Sequence, residues 1–206
     1  MAETLFFDSA GWGLQSDILE QRNRDKDVVE EIPVLRDLYK GKLVYAGAIL
    51  DRFIASYAEP TKFRATVTAD GRTLVFDRLT DLVIKATAVY GGSWVLDRFG
   101  EPDDGKFELI PIQGRRDWAS KALRDLATVP IWQEHLDLVG ITHLEGLSAQ
   151  SFQITFERES GHQPVPAQVD GEEWMSGLHF EVEVLANTLD VITPEGFVPP
   201  WKIDRV

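Results

Sequence analysis

The chain has 206 residues, 44% hydrophobic and 27% charged, the balance of one large globular domain or two small ones. It contains no cysteine, so disulfides, zinc–thiolate sites and cysteine nucleophiles are excluded. A net charge of −13 does not suit a duplex-binding surface, so no nucleic-acid partner is expected, and it opposes adhesion to anionic lipid by charge alone.

No apolar run approaches the length of a membrane span. Residues 1–12 lack a basic start and an apolar core, so no secretory leader is expected. Together with the missing cysteines this fits a cytoplasmic protein. Residues 4–9, Thr-Leu-Phe-Phe-Asp-Ser, predict a buried strand. Ala10-Gly11-Trp12-Gly13 follows as a glycine turn that permits close backbone approach. No Lys-Ser/Thr follows it, so it is not a phosphate loop. Leu14, Ile18 and Leu19 then take helical spacing, predicting a helix near 14–24. Pro33 interrupts the polar stretch beyond.

Leu43, Gly47, Leu50, Ile54 and Tyr57 predict an amphipathic helix over 42–57, its apolar face turned to the core or to lipid. The period then changes to two. Phe63, Ala65 and Val67 alternate with polar residues, Asp70-Gly71 turns the chain, and Leu74 and Phe76 alternate on the return. That pattern is a hairpin. A strand is predicted over 82–90, ending at Gly91-Gly92, then a loop over 93–105 and a strand over 106–112. Trp118, Ala122 and Leu126 predict a helix over 115–127. It carries Arg115, Arg116, Lys121 and Arg124, which form either a solvated face or a site for phosphate or lipid headgroups.

Alternation returns in Phe152, Ile154 and Phe156, and again in Leu178, Phe180, Val182 and Val184. Leu189 and Val191 begin a final predicted strand before the proline-rich tail. The predicted fold is mainly β: an antiparallel β-sandwich with a few inserted helices.

None of the four histidines falls into a paired metal-ligand spacing, and there is no Gly-x-Ser-x-Gly elbow. Two acidic turns remain. In Gln168-Val169-Asp170-Gly171-Glu172-Glu173, a short strand runs into an Asp-Gly turn, which sets Asp170 and Glu172 together at a hairpin tip. Such a tip can hold a general base or a cation, or it can be a plain solvated hairpin. Glu101-Pro102-Asp103-Asp104-Gly105 offers hard oxygen ligands suited to Mg²⁺ or Ca²⁺, or is an ordinary turn.

These segments, taken in order, resemble the C-terminal domain of the diacylglycerol kinase and sphingosine kinase family of lipid kinases, bacterial members included. Phe6–Leu19 resembles that domain's opening strand, glycine turn and helix. Tyr90-Gly91-Gly92 resembles its Tyr-Gly-Gly loop, and Pro102–Glu108 its Asp-Asp-Gly turn and following strand. Gln168–Glu172 is similar to its Val-Asp-Gly-Glu signature. The chain departs from the family at Ala86–Val89, where an Asn is usual, and at Arg98–Glu101, where Pro-Asp-Ala is usual.

The resemblance implies one domain over 1–206, the C-terminal part of the NAD kinase/diacylglycerol kinase-like fold. It implies an ATP- and Mg²⁺-dependent phosphorylation of a lipid hydroxyl, of diacylglycerol or sphingoid type, at the membrane surface. Asp170 would be the general base, Glu172 would organise the nucleotide side, and Asp103 and Asp104 would hold Mg²⁺. The family places an ATP-binding domain with a Gly-Gly-Asp-Gly-Thr loop before this one. No such loop occurs within these residues, so the chain alone is expected to be inactive and to need that domain as its partner. Two other readings stand beside this one: a stand-alone β-sandwich that binds a lipid or hydrophobic ligand without catalysis, and a metal-dependent hydrolase built on the acidic loops. Neither the acceptor lipid nor the oligomeric state is legible in the sequence.

Overall fold

The computed structural model describes residues 2–17, 19–20, 62–87, 89–90, 94–95, 100–114, 144–158, 161, 163–188, 190 and 192–198. Two antiparallel sheets pack face to face. The smaller is built on the hairpin of β2 (Phe63–Ala69) and β3 (Arg72–Leu79), with β9 (Ser151–Arg158) beside β2 and β12 (His179–Glu183) beside β9. One face of this sheet is solvated, so its strands alternate as the sequence predicts. Phe63, Ala65, Val67, Phe152, Ile154 and Phe156 point inward and are buried.

The larger sheet has the order β11-β10-β1-β4-β7-β8. These strands are β1 (Ser9–Gly13), β4 (Asp81–Lys85), β7 (Phe107–Ile112), β8 (Leu147–Ala149), β10 (Val165–Val169) and β11 (Glu172–Gly177). Its central strands are buried on both faces, which removes the polar-apolar alternation. A separate ribbon pairs β5 (Val89–Tyr90) with β6 (Trp94–Val95).

The main core lies between the sheets. Trp12 of β1 packs 5.8 Å from Phe156 and 5.2 Å from Phe180, and Phe63 meets Phe156 edge-on at 5.2 Å. On the other face of the larger sheet, Val83, Ile110 and Ile112 form a second small cluster. The same face carries the buried polar residues Asp81, Lys85, Glu108 and Gln168. Among the described residues no helix is long and apolar enough to cross a membrane.

The β-sandwich expectation holds, but three local expectations change. The opening strand is Ser9–Gly13, not 4–9. Leu5 and Phe7 are 65% and 60% exposed, and the supposed glycine turn is itself the strand. β1 has neighbours on both sides and every residue buried, and at Gly13 a β-carbon would lie 2.2 Å from the Thr80 carbonyl oxygen. The strand expected over 82–90 ends at Lys85, where residues 86 and 87 bend before the short β5. The loop expected over 93–105 contains β6. Leu189 and Val191, expected to begin a strand, lie outside the described residues, and Thr188, Asp190 and Ile192 beside them are in no strand. The helix near 14–24 is described only at 14–17, 19 and 20, where it is helical. The helices expected over 42–57 and 115–127 lie outside the described residues.

Candidate functional site

Antiparallel pairing brings one set of strand ends to the same end of the sandwich. Ser9 at the start of β1 is opposite Lys85 at the end of β4, and Lys85 is opposite Glu108 near the start of β7. Val169 at the end of β10 is opposite Ala10 on one side and Glu172 on the other. The start of β7 meets the end of β8, Phe107 being opposite Ala149. The Asp70-Gly71 tip joins them, because Asp70 N–H donates to the Ser151 carbonyl at 3.1 Å.

The tip of the β10–β11 hairpin has two residues at positive φ, Asp170 at 49° and Gly171 at 80°. That pair makes the turn whose twist matches a hairpin, and Asp-Gly is the dipeptide that tolerates it. Gln168, buried in β10, accepts the Gly171 N–H on Oε1 at 2.7 Å and braces the turn. The Asp170 carboxylate reaches back to the start of β1. Its Oδ2 accepts the Phe7 N–H at 2.9 Å, and its Oδ1 accepts those of Asp8 and Ser9 at 2.8 and 3.0 Å. Asp170 N–H in turn donates to the Ser9 carbonyl at 2.8 Å. Asp170 is thus a clamp on the incoming chain. Glu172, the first residue of β11, is exposed two positions further on.

Asp8 lies beside that clamp, half-buried. Its Oδ1 accepts the Thr87 hydroxyl at 3.0 Å and its Oδ2 the Ser9 hydroxyl at 3.4 Å. The Asp8 carbonyl accepts the Ala86 N–H at 2.9 Å. Below Thr87, the fully buried Lys85 donates from Nζ to the Thr87 carbonyl at 2.6 Å. A β-carbon built on Gly100 would lie 3.1 Å from Glu108 Oε2 and 3.3 Å from Lys85 Nζ. Gly100 therefore leaves room for both charged heads.

Asp103 and Asp104 lie in an exposed turn ahead of β7. Asp104 Oδ1 accepts the Lys106 N–H at 2.9 Å, which closes the turn locally. Among the described residues no three His, Asp or Glu side chains group to hold a metal ion. This turn therefore offers no closed cage. Two adjacent exposed carboxylates do fit a water-rich Mg²⁺, which often takes only one or two protein carboxylates.

Asp170 and Glu172 thus lie at the same end of the larger sheet as the approach to β7 that carries Asp103 and Asp104, with β1 and β4 between them. Gly91 and Gly92 lie outside the described residues. Sequence reasoning passed over Asp8, Thr87, Lys85 and Glu108. One signal was available for two of them: Lys85 and Glu108 interrupt otherwise apolar runs, and a charge inside a doubly buried strand needs an opposite charge or other polar partners.

No family model matches the chain, and no curated protein matches it. Solved structures similar to it carry the diacylglycerol kinase name and come from Bacillus anthracis str. Sterne. One aligns at 16% identity with a TM-score of 0.49, over 88% of this chain and 50% of its own. Two others align at 15% and 16% identity with TM-scores of 0.48 and 0.45, each over 88% of this chain and 48% of its own. The chain spans about half the length of the structures it resembles.

Proposed function

We propose that residues 1–206 are the acceptor-lipid side of an ATP- and Mg²⁺-dependent lipid kinase acting on a diacylglycerol or sphingoid-type hydroxyl. The observation that carries this reading is the gathering of strand ends. The Asp170-Gly171-Glu172 tip, the start of β1 and the approach to β7 are distant in sequence and emerge at one end of one sheet. The collinear motifs at those places agree with it. Phosphoryl transfer needs positioned groups and charge neutralisation more than covalent chemistry. The rigid end of a sheet suits positioning.

In this reading a carboxylate at this end takes the proton of the lipid hydroxyl, with Asp170 the candidate that the motif names. Glu172 organises the nucleotide side. Mg²⁺ held by Asp103 and Asp104 would be structural, fastening the turn ahead of β7 rather than taking part in the transfer. The ATP phosphates would be cradled by an ATP-binding domain that these residues do not include, with the lipid presented from a membrane surface to a cytoplasmic enzyme.

The test uses labelled ATP, Mg²⁺ and a panel of diacylglycerols, sphingoid bases and phosphatidylglycerol. The 206-residue chain alone is expected to yield no phospholipid product, and the same chain joined to a matching ATP-binding domain is expected to yield one. In the joined enzyme D170N is expected to cut turnover by about 10²–10⁴-fold, the usual worth of a general base. E172Q is expected to weaken use of Mg-ATP instead. Product from the chain alone would overturn the half-enzyme reading.

One observation favours a second reading, a non-catalytic module for a lipid or hydrophobic ligand. Three backbone donors already engage the Asp170 carboxylate. Vesicle or detergent-lipid binding by the chain, with no phosphorylation after the ATP-binding domain is supplied, would establish it.

A further inference from the structure

We propose that Gln168 is a positioning residue for the transfer: its buried side chain fixes the direction in which Asp170 meets the acceptor hydroxyl. This deepens the kinase reading above, in which Asp170 is the base, and rests on it.

The Asp70-Gly71 and Asp170-Gly171 hairpin tips are built alike. Asp70 has a φ of 45° and Asp170 one of 49°, and each is followed by a glycine at positive φ. Asp70 accepts the N–H groups of Gln150 and Ser151 at the start of β9, as Asp170 accepts those of Asp8 and Ser9 at the start of β1. Asp70 N–H donates to the Ser151 carbonyl, and Asp170 N–H to that of Ser9. The clamp is one device used twice, and the Asp70 copy stands away from every motif of the resemblance.

The two tips differ two residues before the aspartate. Thr68 and Gln168 hold that place, opposite Thr73 and Glu173. The Thr68 and Thr73 hydroxyls bond each other at 3.0 Å. Gln168 instead reaches forward, and its Oε1 accepts the Gly171 N–H at 2.7 Å. That N–H lies in the peptide plane joining Asp170 to Gly171. The plane before Asp170 is already held by the bond to the Ser9 carbonyl. Asp170 therefore has the peptide on each side of it fixed. At the other tip the clamp holds the plane before Asp70, and among the described residues no side chain accepts the Gly71 N–H.

Burial does not call for an amide at position 168. Gln168 is 2% exposed, and its row continues across the larger sheet through Gly11, Val83 and Ile110. An apolar side chain would suit that row, whereas a buried carboxamide must be hydrogen-bonded to offset its desolvation. Gly11, directly opposite, has no side chain to crowd it. The amide is used on the turn that carries Asp170 and Glu172.

The three N–H donors at Asp170 occupy three of about four lone-pair sites, which leaves one on Oδ2. With one site left, its direction decides whether a hydroxyl can be met. A misplacement of ~1 Å in a reacting group can cost about 10²-fold in rate.

The test measures kcat at its pH optimum, KM for Mg-ATP and melting for Q168M, Q168N and Q168E in the chain joined to its ATP-binding domain. Methionine matches glutamine in length without the amide. Asparagine keeps the amide but falls a methylene short of Gly171, and glutamate keeps an oxygen at the same reach. Q168M and Q168N are expected to lose about 10–10²-fold in kcat with KM for Mg-ATP unchanged. Q168M is expected to melt close to the wild type. Q168E buries a charge and is expected to melt lowest of the three, yet to keep kcat near the wild-type value. Activity and stability then run in opposite orders, which a purely structural role would not produce. On top of D170N, Q168M is expected to add no further loss, because Gln168 acts through Asp170. Wild-type kcat in Q168M, losses that track melting across the three variants, or the full Q168M loss repeated in D170N would overturn the assignment. If the wild-type joined enzyme phosphorylates no lipid, the kinase reading itself fails and this assignment falls with it.

Discussion

Asp70 shows what an aspartate at a hairpin tip is worth when no chemistry is asked of it. The Gln150 N–H, and then those of Ser151, hold its carboxyl below the ordinary value of 3.8, partly opposed by desolvation. A depressed native value means that the unfolded chain binds this proton more readily. The clamp's stability is therefore fully present above the ordinary carboxylate range and is lost as pH falls through the depressed native value. D70N keeps one acceptor oxygen in place of two and does not ionise. It is expected to melt below the wild type at pH 7, and the gap should close as pH falls below 3.8. Melting curves from neutral pH down to pH ~2 check this; a gap independent of pH would show that charge plays no part. Both Asp-Gly turns were legible in the sequence because the dipeptide is a local signal. The clamps were not, since their partners lie 80 and more than 160 residues away.

At the scale of single strands, β1 and β4 were the hardest to read. The apolar run 4–9 outcompeted Ser9–Gly13 as a strand because Ala10, Gly11 and Gly13 are small and carry little periodic signal. Gly13 shows the crowding. Its φ is 109°, and a β-carbon there would lie 2.2 Å from the Thr80 carbonyl oxygen. G13A is expected to cost at least ~2 kcal/mol, from strain of about 1–3 kcal/mol together with the clash. That is a fall in Tm of roughly 4 °C or more for a domain of this size. Lys85 and Glu108, opposite each other on β4 and β7, allow a complementary measurement. K85M alone leaves a buried carboxylate without its counter-charge and is expected to cost about 3–5 kcal/mol. K85M/E108L replaces both heads with apolar groups and is expected to recover most of that loss. Chemical denaturation of the three proteins reads the difference; a double variant no better than K85M would mean that the charges do not compensate each other.

Across the whole molecule, the two sheets are joined by an aromatic knot. Phe156 of the smaller sheet touches Trp12 of the larger, and also Phe63 and Phe180. F156A is expected to cost about 3–5 kcal/mol and to weaken both sheets in a single transition. Coincident loss of far-UV and near-UV circular dichroism checks it, and two separate transitions would refute it. The smaller sheet was legible almost strand by strand, because Phe63–Val67 and Phe152–Phe156 expose one face and bury the other. The acidic turns at Asp103–Asp104 and Asp170–Glu172 were legible as local motifs, but their place in the sheet was not. Which strand ends share an end depends on the order β11-β10-β1-β4-β7-β8, and nothing local in the chain encodes that order.

The position of β1 within that order also governs how the protein is made. Of the described strands, the first in chain order is a central one, and its two neighbours follow later: Asp81–Lys85 on one side and Val165–Val169 on the other. At about 5–20 residues per second, roughly 8–30 seconds separate the emergence of β1 from that of β10. Through that interval Trp12 has no finished sheet to enter, and one edge of β1 stays open to other chains. The Asp170 clamp reaches Phe7, Asp8 and Ser9 only at the end of it. A nascent chain halted before residue 165 is therefore expected to be held by chaperones and cut readily by protease near residues 5–13, and one released beyond residue 185 is expected to resist.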